Sequence, residues 1–70
     1  MPRTEEANER IRKERKELVF QAAARVFARR GLADTKVADI AAEAGMSHGL
    51  AYRYFETKEE LFAAVVKRAT

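Results

Sequence analysis

Cysteine is absent from this 70-residue chain, which excludes disulfides and thiolate metal sites and suits a reducing compartment. Proline occurs once, as Pro2, so nothing after it interrupts helix formation through a missing N–H. Glycine occurs three times, at Gly31, Gly45 and Gly49, and so punctuates the chain sparsely. Apolar runs never exceed a few residues, so no segment reads as a bilayer span. The opening stretch MPRTEEANERIRKERKE has no apolar h-region and does not read as a secretory signal. Nothing alternates with period 2 for long enough to form a strand. A single histidine, His48, rules against any Ser-His-acid set or His-based metal cluster, and there is no glycine-rich phosphate loop. An enzyme is therefore not expected, nor any cofactor or metal.

What is present is charge and helical periodicity. Hydrophobic residues make up 47% and charged residues 36%, the balance of a small folded helical domain rather than a disordered chain. Seventy residues hold one domain with a marginal core. The net charge of +3 is unevenly placed: residues 1–30 carry nine Lys/Arg against five Glu, and residues 31–70 carry five against six acids. A basic first third suits an anionic partner such as nucleic acid. It equally suits a solvated helix face laced with i,i+4 pairs.

Four helical patterns are legible. The first ends at Arg30, with Val19, Ala22, Ala23, Val26 and Phe27 on one face, Arg29 and Arg30 in its last turn, and Gly31 as a left-handed cap. It begins near Asn8, or else the first dozen residues form a mobile arm. The second spans about Val37 to Ala44, with Val37, Ile40, Ala41 and Ala44 on one face and Gly45 at its end. The third runs from about His48 to Tyr54, capped by Ser47, with Ala51 and Phe55 turned inward. Only Gly45-Met46-Ser47 separates these two, the turn length of a helix-turn-helix. Thr57 and Glu60 have capping-box spacing and start a fourth helix carrying Leu61, Phe62, Val65, Val66 and Ala69.

Cations at helix N-termini oppose the helix dipole by about 0.3–1 kcal/mol unless an anion lies close. Lys36 precedes the second helix, His48 opens the third and Lys58 opens the fourth. With Ala51 and Phe55 inward, the outward face of the third helix holds His48, Gly49, Leu50, Arg53 and Tyr54, with Tyr52 at its flank. Arg53 has the geometry to bond guanine O6 and N7, and His48 to donate to a base acceptor. Gly49 permits close backbone approach, and Leu50 suits a thymine methyl. The hydroxyls of Ser47, Tyr52 and Tyr54 suit phosphates. Taken singly, each of these residues also has an ordinary structural reading, such as a half-buried tyrosine, a core leucine or an exposed histidine.

From Lys16 to Ala69 the chain resembles the N-terminal DNA-binding domain of TetR-type bacterial transcriptional regulators. The matching string is ELVFQAAARVFARRGLADTKVADIAAEAGMSHGLAYRYFETKEELFAAVV. It carries Ala-Ala-x-x-hydrophobic-Phe and a glycine ending helix one, Val-x-Asp-Ile-Ala in helix two, then Ala-Gly-Met-Ser-x-Gly and Tyr-x-x-Phe-x-x-Lys-Glu-x-Leu. The resemblance implies an all-α, homeodomain-like three-helix bundle with a fourth, linking helix. It implies an arm or helix extension over 1–15, a DNA-binding domain over 16–56, and at 57–70 the start of a link to an absent domain. That domain, in the family, dimerises and binds a small-molecule inducer that releases the protein from its operator.

By the same resemblance, base contacts fall on His48, Gly49, Leu50 and Arg53, and phosphate contacts on Lys36, Ser47, Tyr52, Tyr54 and Lys58. Where some members read a base from helix two, this chain has Ala38. The family usually caps helix two with Thr or Ser where Lys36 stands, leaving Thr35 or Asp34 to cap it here. It usually has Lys at the position of His48, and Leu at that of Ala51. The expected function is sequence-specific binding of double-stranded DNA in the major groove, as a repressor, in the cytoplasm at the nucleoid, with no membrane partner. The full-length protein is expected to be a homodimer, and the apolar face of helix four, still running at Thr70, suits a fragment. The basic residues Arg3, Arg10, Arg12, Lys13, Arg15 and Lys16 suit a neighbouring phosphate or minor groove. The competing reading is a helical protein-interaction module of the same fold, using helices one and four.

Overall fold

The computed structural model describes the backbone of residues 3–69 and the side chains of residues 7–69. Met1, Pro2, Thr70 and the side chain of Arg3, named above with the basic arm, lie outside them. The described chain is all-α: α1 (Arg3–Asp34), α2 (Val37–Ala44), α3 (His48–Ala51) and α4 (Lys58–Ala69).

α1 is regular from Arg3 to Arg30 and breaks at Gly31, with φ 78° and ψ 164°. This is the extended positive-φ region open essentially only to glycine, not the left-handed cap that the sequence suggested. The helix also begins earlier than the expected Asn8: the charged segment continues it rather than forming a separate arm. The regular part is roughly 42 Å long, at about 1.5 Å per residue. That accounts for the long axis of a molecule measuring 45 × 27 × 17 Å.

The stripe expected on α1 is the floor of the core. Val19, Ala22, Ala23, Val26 and Phe27 are buried against Ile40 and Ala41 of α2, Ala51 and Phe55 around α3, and Leu61 of α4. The alanines keep the helices close, so a small set of large side chains fills the space. Burying Ile40 or Leu61 is worth about 1.5–3 kcal/mol each. Phe62 closes one end with its ring edge-on to Phe27, centroids 5.1 Å apart. Val66, expected in the α4 stripe, is 47% exposed.

α2 is tied to α1 by charge as well. Arg25 and Arg29 both grip Glu43, at 2.8 and 3.0 Å, and Arg30 lies 3.7 Å from Asp39. These hydrogen bonds, Arg25's first, hold the Glu43 carboxyl below the usual carboxylate range. Arg68 of α4 pairs with Glu17 of α1. Among the described residues no helix is long and apolar enough to cross a membrane.

Candidate nucleic-acid interface

The site begins at the end of α2. Gly45 adopts the left-handed conformation (φ 72°, ψ 33°). Its N–H donates to the carbonyl of Ala42 at 3.1 Å, and the N–H of Met46 donates to that of Ala41 at 3.0 Å. This pair of bonds is a Schellman motif, closing α2 and turning the chain back at once. Ser47 then caps α3, its hydroxyl accepting from the N–H of Leu50 at 3.1 Å. Its own hydroxyl hydrogen stays available to an acceptor.

α3 is shorter than expected. Helical bonding covers His48–Ala51, and residues 52–54 form a tightening turn rather than a further helical turn. The bonds change register: Tyr52 N–H reaches back four residues to His48, but Arg53 and Tyr54 reach back three, to Leu50 (3.1 Å) and Ala51 (3.0 Å). Phe55 follows this turn, and both it and Ala51 are buried. The expected inward pair is thus correct even though the helix is not.

His48, Gly49, Tyr52 and Arg53 are exposed, while Leu50 and Tyr54 are half-buried. A ladder of rings runs from surface to core. His48 stacks on Tyr52 at 5.1 Å, and Tyr52 leans on Phe55 at 5.8 Å. Among the described residues the hydroxyls of Tyr52 and Tyr54 and the guanidinium of Arg53 have no hydrogen-bond or ion-pair partner. A Cβ built on Gly49 meets nothing within 4 Å. The fold itself therefore has no need of glycine there.

The three N-terminal cations divide. Lys36 is the exposed N-cap residue of α2, and its side chain makes no cap bond. Its backbone N–H instead donates to the Asp39 carboxylate at 3.1 Å. Neither Thr35 nor Asp34 caps α2, contrary to expectation. Thr35 is fully buried, and its hydroxyl donates to the carbonyl of Gly31 at 2.6 Å. Lys58, by contrast, is half-buried and engaged within the fold. Its ammonium donates to the carbonyls of Thr35 at 2.8 Å and Ala33 at 3.2 Å, bracing the start of α4 against the α1–α2 turn. One N–H remains of its three. Thr57 accepts from the N–H of Glu60 at 3.0 Å, whereas the Glu60 carboxylate accepts from Glu56 at 3.2 Å, so the expected box closes one residue early.

The structure thus brings Ser47, His48, Gly49, Leu50, Tyr52, Arg53 and Tyr54 onto one segment, with Lys36 and Lys58 at neighbouring helix starts. Sequence reasoning missed the Lys58 brace and the Arg25/Arg29 grip on Glu43. The one signal for the second was an acid, Glu43, in the alanine-rich last turn of α2. Among the described residues no group of His, Cys, Asp or Glu could hold a metal ion.

The family model described as "Bacterial regulatory proteins, tetR family" matches residues 19–65. The chain is 48% identical over 48 residues to the HTH-type transcriptional repressor Rv3405c of Mycobacterium tuberculosis, covering 69% of this chain and 26% of that protein. It is 44% identical over 50 residues to the HTH-type transcriptional repressor SCO4008 of Streptomyces coelicolor, covering 71% and 26%. It is 44% identical over 48 residues to the HTH-type transcriptional regulator TtgR of Pseudomonas putida, covering 69% and 23%. The matched stretch spans about a quarter of the length of these relatives. No solved structure matches the chain.

Proposed function

The chain belongs to the tetR family of bacterial regulatory proteins, and from that membership we propose that it reads double-stranded DNA as part of a transcriptional repressor. The observation that carries the reading is the outer face of residues 47–54. A segment seated by Ala51 and Phe55 presents an unpartnered guanidinium, an exposed imidazole, two free phenolic hydroxyls and a glycine that the fold does not require.

From His48 to Tyr54 the segment is roughly 10 Å long, which suits a major groove about 12 Å wide. In the proposed pose Arg53 and His48 meet base edges, Gly49 lets the backbone approach, and Leu50 meets a thymine methyl. Lys36, Ser47, Tyr52, Tyr54 and the remaining N–H of Lys58 hold phosphates, fixing register without reading sequence. Residues 16–56 form the DNA-binding unit, and 57–70 begin the link to a domain that dimerises and takes a small-molecule inducer. Action is in the cytoplasm at the nucleoid, and the role is regulatory rather than enzymatic. The names of Rv3405c and SCO4008 support repression.

Selection of a random duplex library on the 70-residue chain, followed by sequencing, tests this. An enriched palindrome shows reading with pairing on DNA. An enriched single half-site shows reading by one copy. No enrichment by a chain with an intact helical circular-dichroism spectrum refutes the reading. It would favour the interaction-module alternative, for which Leu18 and Val66, 48% and 47% exposed, supply an apolar surface.

A further inference from the structure

The arginines fall into two groups. Arg25, Arg29, Arg30 and Arg68 are each paired with a carboxylate. Arg10, Arg12, Arg15 and Arg53 form no ion pair or hydrogen bond among the described residues, and the last three line one cleft. The cleft, of about 350 Å³, lies between the N-terminal half of α1 and the α3 segment. Ile11, Arg12 and Arg15 form one wall, and Leu50, Arg53 and Tyr54 the other. Each wall has helical spacing, so both present a single face. Ile11, 42% exposed, lines the same cleft and adds an apolar side chain to it.

Among the described residues no carboxylate lines this cleft, so three exposed guanidiniums share it without a counter-charge, an arrangement that suits an anion held among them. The cleft adjoins the face proposed to enter the major groove, so its anion is the backbone beside that groove. We propose that α1 and α3 together form a two-walled clamp in which Arg12 and Arg15 hold phosphodiesters of the strand flanking the bases read by Arg53. The inference rests on the DNA-binding reading above and assigns two residues beyond it. It requires a rigid wall, which α1 supplies as continuous helix from Arg3 to Arg30. The opposite stripe of the same helix is differently disposed. There Lys16 lies over the Phe20 ring at 5.8 Å, in a separate cleft lined also by Lys13 and Arg68.

The test measures Kd against salt for duplex DNA, comparing the full 70-residue chain with Arg12→Gln/Arg15→Gln and with Lys13→Gln/Lys16→Gln. The probes are the duplex enriched by selection and a scrambled duplex. The arginine pair is expected to lower the log–log salt slope by about 1.8, at about 0.9 per phosphate. The preference for the selected duplex should stay unchanged, and the lysine pair should leave the slope near the parent's. An unchanged slope in the arginine variant overturns the clamp while leaving DNA reading intact. Equal falls in both variants overturn it in favour of net charge alone. A folded parent chain that binds neither duplex overturns the clamp and the DNA reading together.

Discussion

Replacing Lys58 by Met removes its ammonium and keeps most of its stem, which isolates the polar brace at the start of α4. The brace consists of two charge-assisted hydrogen bonds, at 2.8 and 3.2 Å, to the carbonyls of Thr35 and Ala33. Such bonds are worth about 1.5–3 kcal/mol each when well shielded. Lys58 is only half-buried and the longer bond is exposed, so water competes for both. About 2 kcal/mol in total is the expected loss. For a domain of this size that lowers Tm by roughly 8–16 °C. Melting followed by circular dichroism measures it; a Tm within about 2 °C of the parent's refutes the brace as a stabilising contact. The same variant tests the proposed phosphate contact independently. Binding is measured at about 10 °C, well below the lowered Tm, so that loss of fold does not enter. A phosphate held by the third N–H makes the salt slope shallower by about 0.9, equally for preferred and scrambled duplexes. A lowered Tm with an unchanged slope would show that Lys58 serves the fold alone.

Three further outcomes are expected. Arg53→Ala should cost about 1–3 kcal/mol on the preferred duplex and relax preference at one or two base pairs, read by repeating the selection; equal loss on every sequence contradicts base reading. Gly49→Ala should stabilise the fold by about 0.5–1 kcal/mol, because helical glycine is entropically costly and the space is open, yet weaken duplex binding about fivefold or more through the added methyl. Denaturant melts and titrations of one preparation check both signs, and unimpaired binding removes the close-approach role. Glu43 has a depressed folded pKa, so its stabilisation is complete above the ordinary carboxylate range and lost as pH falls through the lowered value. Glu43→Gln should therefore be less stable than the parent near neutrality and show a flatter acid limb below about pH 5; parallel limbs would show that the Arg25 and Arg29 contacts contribute nothing.

Local rules made much of this fold legible. The α1 stripe is buried as a 3.6-residue period requires, and Gly45 and Ser47 terminate and start helices through bonds that span only a few residues. What escaped involves partners distant in sequence. Lys58 reads as an exposed cation until Ala33 and Thr35, 25 and 23 residues away, are folded beside it. Glu43 reads as surface charge until Arg29 and Arg25, 14 and 18 residues away, close on it. Thr35 reads as a candidate cap for α2, but the fold buries it and turns its hydroxyl back to the carbonyl of Gly31. Of the candidate site, residue types and their common face were legible. Which donors stand free was not, since that depends on which carboxylates the fold has already used.

A helix of four residues has no stability of its own, so the orientation of the proposed reading face is borrowed. Ala51 and Phe55 anchor it from beneath, and the Schellman turn fixes its direction relative to α2. α2 is in turn fixed to α1 by Ile40, Ala41 and the grip of Arg25 and Arg29 on Glu43. α1 is therefore the common frame for the reading segment, for α4 through Leu61 and the Arg68–Glu17 pair, and for the Arg12/Arg15 wall. It follows that loosening Glu43 should act on DNA unlike loss of Arg53 or Arg12. It misplaces the whole face without deleting a contact, so affinity should fall alike on all duplexes while base preference is kept. The salt slope should hardly change, because every phosphate-facing cation is still present. A folded Glu43→Gln variant that bound every duplex as tightly as the parent would mean that α3 holds its orientation independently of the Glu43 contacts, against the borrowed-rigidity account.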